Sequence, residues 1–359
     1  MIKICDFTYK ELFELAISRP IMAQIELTKN CNQQCFFCFR SCQPNIKYKD
    51  LSINDWMKIV DKLIDIGIEE LNFSGGEIFL YNNSQNLFGY AKSKGVKKIV
   101  VNTNGQISMS AEMLADVDEL IFSIHDIRES HDLATGKVGA FKIAINNFNG
   151  VRKIGNVGLG INTVVTPVNI DNLQEIYNYF KDEKLIYHAF NMQINQKSDD
   201  HVQFINSVFE KYISFINKIP THRRKLRHGL QSIICDDVPY QQIPLPNCAG
   251  GKYKIVVDFK GDVFPCRYFQ NDDYYCGNIL TGDARDIWLN GKGFMKFRKI
   301  VTNSILPRRC RTCIKNKKCV GGCLAWRKYE PGKKIYQKDL RCKLGNAYIR
   351  AGSNNSMQP

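Results

Sequence analysis

The sequence predicts an α/β protein, a partial (β/α)6 TIM-like barrel followed by a cysteine-rich domain, and three observations carry that expectation. Short apolar segments alternate with amphipathic ones through roughly the first 200 residues, the signature of strand-helix units repeated on a parallel sheet. A CxxxCxxC set, Cys31, Cys35 and Cys38, directly follows the first apolar stretch. Eight of the 14 cysteines fall between Cys248 and Cys342.

Strands are expected at 23–28, 70–74, 98–102, 119–123, 158–166 and 187–193. Between the first two, Ser52 can cap a helix whose Trp56, Ile59, Val60 and Leu63 share one face, and Gly67 sits where a left-handed stop belongs. Phe141, Ala144, Ile145 and Phe148 form a similar stripe, as do Leu173, Ile176, Tyr177 and Phe180. Six strands are fewer than the eight that close a barrel, so the expected shape is curved and partly open, with the site on loops at the strand C-terminal ends. The barrel is assigned to residues 1–220. A proline-rich connection follows at 221–246, then the cysteine-rich domain at 247–344 and a polar tail at 345–359. The cysteine-rich part is loop-rich, so its order is expected to come from bound metal more than from a continuous apolar core.

The N-terminus lacks a secretion-signal pattern and no run of 18 apolar residues occurs, which predicts a cytoplasmic protein with no membrane partner. Clustered thiols in a reducing compartment point to metal rather than disulfides. The net charge of +15 suits an acidic electron carrier, an acidic peptide or a generic polyanion. No recognisable RNA-binding motif and no basic patch interleaved with aromatics is present, so no nucleic acid is expected.

Three thiolates spaced CxxxCxxC can hold three corners of a cubane cluster and leave the fourth iron open to a small chelating molecule. A structural zinc site would close with four ligands, and Cys42 is an available fourth. Thr28-Lys-Asn-Cys31-Asn-Gln-Gln-Cys35-Phe-Phe-Cys38, with aromatic Phe37 before the last cysteine, resembles the signature of the radical S-adenosylmethionine (SAM) enzymes. The resemblance implies a [4Fe-4S] cluster that binds SAM. It also implies cofactor contacts from Phe37, from Ser74-Gly75-Gly76-Glu77 after the second strand, with the Glu77 carboxylate on the SAM amino group, and from Asn104, Ser123, Asp126 and Asn162. Ile78 stands where that family usually has proline.

Downstream, Cys248 is followed by twelve residues, Gly261, four residues and Cys266; Cys310, Cys313, Cys319 and Cys323 then read CxxCxxxxxCxxxC, and Cys342 closes the set. This pattern resembles the SPASM extension of many radical SAM enzymes and implies two auxiliary iron-sulfur clusters. By that resemblance Cys310, Cys313, Cys319 and Cys342 hold the distal cluster, and Cys248, Cys266 and Cys323 the proximal one. Cys276 is the candidate fourth proximal ligand, an open iron the alternative. A zinc ribbon is the other reading of the CxxC pairs.

Asn191, Gln193 and Asn195 alternate along the sixth strand and point one way, which makes Asn191 and Gln193 candidate substrate contacts. Cys235 is a candidate thiol hydrogen donor. Cys5 and Cys42 are expected to be bystanders. The resemblance implies an oxidoreductase that cleaves SAM to a 5'-deoxyadenosyl radical and takes hydrogen from a substrate. Relatives of this kind commonly cross-link, epimerise or oxidise ribosomally made peptides; oxidation or rearrangement of a small metabolite is the rival, and an iron-sulfur carrier or nucleic-acid-binding module the non-enzyme alternative. Expected partners are a flavodoxin or ferredoxin donor and a peptide. About thirty residues precede the first cysteine motif, so a separate leader-binding protein is expected as well.

Overall fold

The computed structural model describes residues 20–194, 201–219, 226–228, 248–301 and 323–328. All six expected strands form: β1 (Met22–Thr28), β2 (Glu70–Gly75), β3 (Lys98–Thr103), β4 (Glu119–Ser123), β5 (Gly158–Val165) and β6 (Tyr187–Met192). They pair in chain order and all parallel, extended beyond β6 by β7 (Leu226–His228). Parallel order sends every strand C-terminus to one rim, which is where the cysteine loop and the expected cofactor positions gather.

Helices cross between strands as the apolar stripes require. Ser52 caps α1 (Ile53–Asp65) through Asp55 N, and Trp56, Ile59, Val60 and Leu63 are its buried face. Gly67 takes φ +103° just past its end. Helix α2 (Ser84–Ser93) follows β2, α3 (Arg128–Thr135) and α4 (Ala140–Ile154) follow β4, α5 (Leu173–Phe180) follows β5 and α6 (His201–Lys218) follows β6. Between β3 and β4 the crossover is made of turns. One apolar core lies between the sheet and α1, α2 and α4; a second gathers α5, β6 and α6.

The segment after the connection departs from expectation. Its strand β8 (Lys254–Val257) pairs parallel with β1 and β9 (Val263–Phe264) returns antiparallel, so the sheet runs on without a break. Ile255, Val257, Val263, Ile279, Trp288 and Phe294 join the first core, and Phe269 and Phe297 the second. Apolar burial and strand pairing thus contribute to the order of residues 248–301. A three-residue Ile-Val-Val run between cysteines is too short to announce a strand.

Helices α7 (Ala284–Asn290) and α8 (Lys292–Val301) complete this part. Lys62 of α1 anchors it: Nζ donates to the carbonyls of Ile279, Leu280 and Gly282, each at 2.9 Å. Among the described residues no helix is long and apolar enough to cross a membrane.

Candidate functional site

The first cysteine loop leaves β1 at Thr28 and is tied at its neck. Thr28 Oγ1 donates to Asp50 Oδ1 at 2.8 Å, and Asn30 Nδ2 donates to Asp50 Oδ2 and to the Tyr48 carbonyl, both at 3.0 Å. Its far side rests on the end of α3, where Gln34 N donates to Thr135 O at 2.9 Å.

Gly75 and Gly76 serve this loop. Gly76 N donates to Thr28 O at 2.7 Å and Glu77 N to Asn30 O at 2.8 Å. A Cβ on Gly75 would lie 2.2 Å from Thr28 O, and one on Gly76 2.0 Å from Asn30 O. The sequence assigned these glycines to close approach of a ligand; in the structure what approaches is the backbone leading to Cys31.

Cys31, Cys35 and Cys38 are unpaired thiols, partly shielded, and close enough that charge on one opposes charge on another. Burial raises Cys31 to about 11 and pushes Cys35 up further. Cys38 is the exception, lowered to about 6 by the Cys42 thiol and by the backbone N–H groups of residues 40–42, which all face its sulfur. Cys42 is buried beside Cys38. Cys35, Cys38 and Cys42 line a cavity of about 320 Å3 with Phe36, Phe37, Phe39 and Gln193. Cys31, Cys35 and Cys38 are three free thiols of one loop, Cys35 and Cys38 bordering a space for a chelating ligand, while among the described residues no three ligating side chains stand close enough to hold a metal ion as they are.

Asn104, after β3, donates from Nδ2 to Asn32 Oδ1 at 2.7 Å and approaches Cys31 Sγ at 3.8 Å. Glu77 holds that position from behind. Fully buried, its carboxylate accepts from Asn104 N at 2.7 Å, Thr103 Oγ1 at 2.8 Å and Phe79 N at 3.3 Å. Burial outweighs these donors and raises its pKa to about 7. The carboxylate assigned to the SAM amino group is thus engaged inside the protein, where it fixes the β2 and β3 ends together.

Other expected residues fall in two groups. Ser123 is in register with Asn162, and Asn162 Oδ1 accepts from Asn191 Nδ2 at 2.7 Å, so one cofactor candidate and one substrate candidate are hydrogen-bonded across the inner face of the sheet. Ser74 Oγ accepts from Gln24 Nε2 at 3.3 Å on that face, and Gln193 reaches the cysteine cavity. Phe37 packs edge-on against His125 at 4.5 Å. Asp126, expected to contact the cofactor, is 1% exposed and accepts from Ile127 N at 2.8 Å and Asn172 Nδ2 at 3.2 Å. It joins β4 to α5.

Sequence reasoning missed the polar side chains of β1. Gln24 and Glu26 alternate with Ala23, Ile25 and Leu27, a period-two signal within a stretch read simply as apolar. Glu26, 1% exposed, pairs with Arg40 at 2.8 Å and accepts from Gln270 Nε2 at 2.8 Å. Burial raises its pKa against both partners. Gln24 Oε1 accepts from Arg267 at 2.9 Å, and Phe39 and Tyr268 rings meet at 5.3 Å. The segments following Cys38 and Cys266 are therefore stitched together through β1.

Of the later cysteines, Cys248, Cys266 and Cys323 pack on the second core, and Cys248 and Cys266 act on each other electrostatically. Cys276 belongs to the first core, donates to Tyr274 O at 3.4 Å and lies under Gly291 and Gly293 at the start of α8. The structure does not bring Cys276 to the other three. Cys235, Cys310, Cys313, Cys319, Cys342 and Asn195 lie outside the described residues.

Comparison with known proteins agrees with this arrangement. Residues 25–180 match the Radical SAM superfamily and residues 248–314 the SPASM iron-sulfur cluster-binding domain. The chain is 23% identical to PqqA peptide cyclase of Xanthomonas euvesicatoria pv. vesicatoria, covering 85% of this chain and 82% of that protein. It is 24% identical to the AdoMet-dependent heme synthase of Methanosarcina barkeri, over 84% and 90% of the two chains. The crystal structure of Streptococcus suis SuiB bound to precursor peptide SuiA superposes with a TM-score of 0.68 at 19% identity, over 92% of this chain and 78% of that one.

Proposed function

The chain belongs to the radical SAM superfamily and carries a SPASM iron-sulfur domain, and from that premise we propose that it cleaves SAM reductively and modifies a ribosomally made peptide. The observation that carries the first part is the Cys31, Cys35, Cys38 loop with its adjoining cavity. When bound there, a [4Fe-4S] cluster with SAM supplies the 5'-deoxyadenosyl radical that takes a hydrogen atom from substrate.

The chain's own residues do the positioning. Asp50 and Gly76 fix the neck of the loop, Glu77 fixes Asn104 beside Cys31, and Phe37 is seated on His125. The Asn162–Asn191 pair sets polar groups on the inner face of the sheet, Asn162 toward SAM and Asn191 with Gln193 toward substrate. We assign Cys248, Cys266 and Cys323 to a proximal auxiliary cluster, and Cys310, Cys313, Cys319 and Cys342 to a distal one.

A peptide substrate is supported by two names among the similar proteins, a peptide cyclase and an enzyme solved with a precursor peptide. The rival, chemistry on a small metabolite, is supported by the heme synthase. A flavodoxin or ferredoxin is the proposed electron donor, a leader-binding protein a further partner, and the cytoplasm the compartment, where clustered thiols more often bind metal than form disulfides.

Anaerobic enzyme with SAM and dithionite should form 5'-deoxyadenosine, and replacing Cys31, Cys35 and Cys38 by alanine should abolish it while auxiliary iron stays bound. Continued cleavage by that variant would contradict the assignment. Incubation with short peptides encoded beside the gene, followed by mass spectrometry, separates the substrates: a changed peptide mass supports the peptide reading, and unchanged masses with SAM turnover stimulated by a metabolite replace it.

A further inference from the structure

Around Cys248 and Cys266 the fold gathers positive charge in a place where charge is expensive. The chain turns tightly after Cys248: Lys252, Tyr253 and Lys254 each direct a backbone N–H at the Ala249 carbonyl, at 3.1 to 3.3 Å. This turn carries Lys254 back beside Cys248. Lys254 begins β8 in register with Met22 of β1, two positions before the level of Gln24, and Gln24 holds the Arg267 guanidinium. Arg267 itself follows Cys266 directly.

Lys254 and Arg267 act on each other as like charges, and both act on Cys266. Lys252, fully buried, adds a third cation next to Cys248. Glu70 acts on Lys254 and Glu26 on Arg267, and Glu26 is already paired with Arg40. Removing cations from water costs several kcal/mol each unless a counter-charge meets them. An iron-sulfur cluster bound by thiolates is such a counter-charge, and its potential responds to nearby charge.

We propose that Lys254 and Arg267, backed by Lys252, are the charge partners of the proximal auxiliary cluster, favouring its binding and raising its reduction potential so that it accepts an electron more readily. The inference rests on the auxiliary cluster proposed above. These are positioning and tuning residues; they touch neither substrate nor SAM.

The test is an anaerobic redox titration of holoenzyme followed by electron paramagnetic resonance, with iron and sulfide counted in every sample. Lys254→Met and Arg267→Met should each lower the reduction constant of one auxiliary cluster about tenfold, equivalent to about 59 mV for one electron. Lys254→Arg should restore it. Lys58→Met, which removes an exposed lysine paired with Asp55, should leave it unchanged. Loss of auxiliary iron in Lys254→Met that Lys254→Arg restores would also support the proposal, since charge then decides loading. Wild-type potentials in both methionine variants, an equal shift in Lys58→Met, or iron loss that Lys254→Arg does not repair would overturn it. Absence of iron from the Cys31, Cys35, Cys38 alanine variant would instead remove the auxiliary cluster, a separate failure.

Discussion

Replacing Glu77 by glutamine tests whether this buried carboxylate is the brace of the site. Glutamine keeps shape and volume but turns one acceptor oxygen into an NH2 group. The wild-type carboxylate receives Thr103 Oγ1 and Phe79 N on Oε1 and Asn104 N on Oε2. Whichever way the amide is turned, at least one buried backbone N–H then faces a donor. An orphaned buried donor costs about 1 to 3 kcal/mol. Taking about 2 kcal/mol and a urea slope of about 3 kcal/mol per M, this term alone lowers the unfolding midpoint of cluster-free protein by roughly 0.7 M, and at pH 8 relief of the buried charge in the neutral variant works against it. Because Asn104 is what loosens, formation of 5'-deoxyadenosine should drop by about tenfold as well.

The pH dependence gives a second reading of the same residue. Burial lifts its folded pKa to about 7, above the ordinary glutamate value of 4.5. The folded state thus holds the proton more tightly, and this group's contribution is full below pH 4.5 and declines as pH rises through 7. Glutamine cannot titrate, so the variant should lack that part of the slope. Equal urea midpoints at pH 8 together with unchanged SAM turnover would refute the bracing role.

Two further outcomes follow from geometry alone. Gly76→Ala must push a methyl group into the Asn30 carbonyl, 2.0 Å away, so it should destabilise by more than about 1 kcal/mol and reduce iron at the first cluster on reconstitution, measured against auxiliary iron. Lys62→Met removes three donors from the carbonyls of 279, 280 and 282; it should lower stability by about 2 kcal/mol in urea titration and raise hydrogen exchange across residues 278–282, and no change in exchange would show that α1 does not anchor that turn.

The strand pattern was legible because each strand of the parallel sheet is a short apolar run between helix stripes. The expected 70–74 and 119–123 became Glu70–Gly75 and Glu119–Ser123. Strand β8 was not legible, since a strand of four residues leaves no period to detect and its partner, Met22 to Ile25, is more than 200 residues away in sequence. Pairing at that separation is decided by tertiary packing, which local pattern does not encode.

The site divides along the same line. Cys31, Cys35 and Cys38 could be read because their spacing is local and one loop holds all three. Glu77 and Asp126 are assigned to the cofactor because each lies at a motif position, and Cys276 to the proximal cluster because that set lacks a fourth thiolate, yet each turns inward: Glu77 onto Asn104, Asp126 onto Asn172, Cys276 onto Tyr274. A polar side chain at a strand end has two ways to satisfy itself, a ligand or a neighbouring backbone group, and sequence position does not choose between them. What chooses is the register of the next element. Asn104 N arrives within 2.7 Å of Glu77 because β3 lies parallel beside β2, and once there it claims an oxygen that the motif alone assigns to SAM. The protein thus uses a motif carboxylate to tie the ends of β2 and β3 into the rim that carries Asn104 beside Cys31.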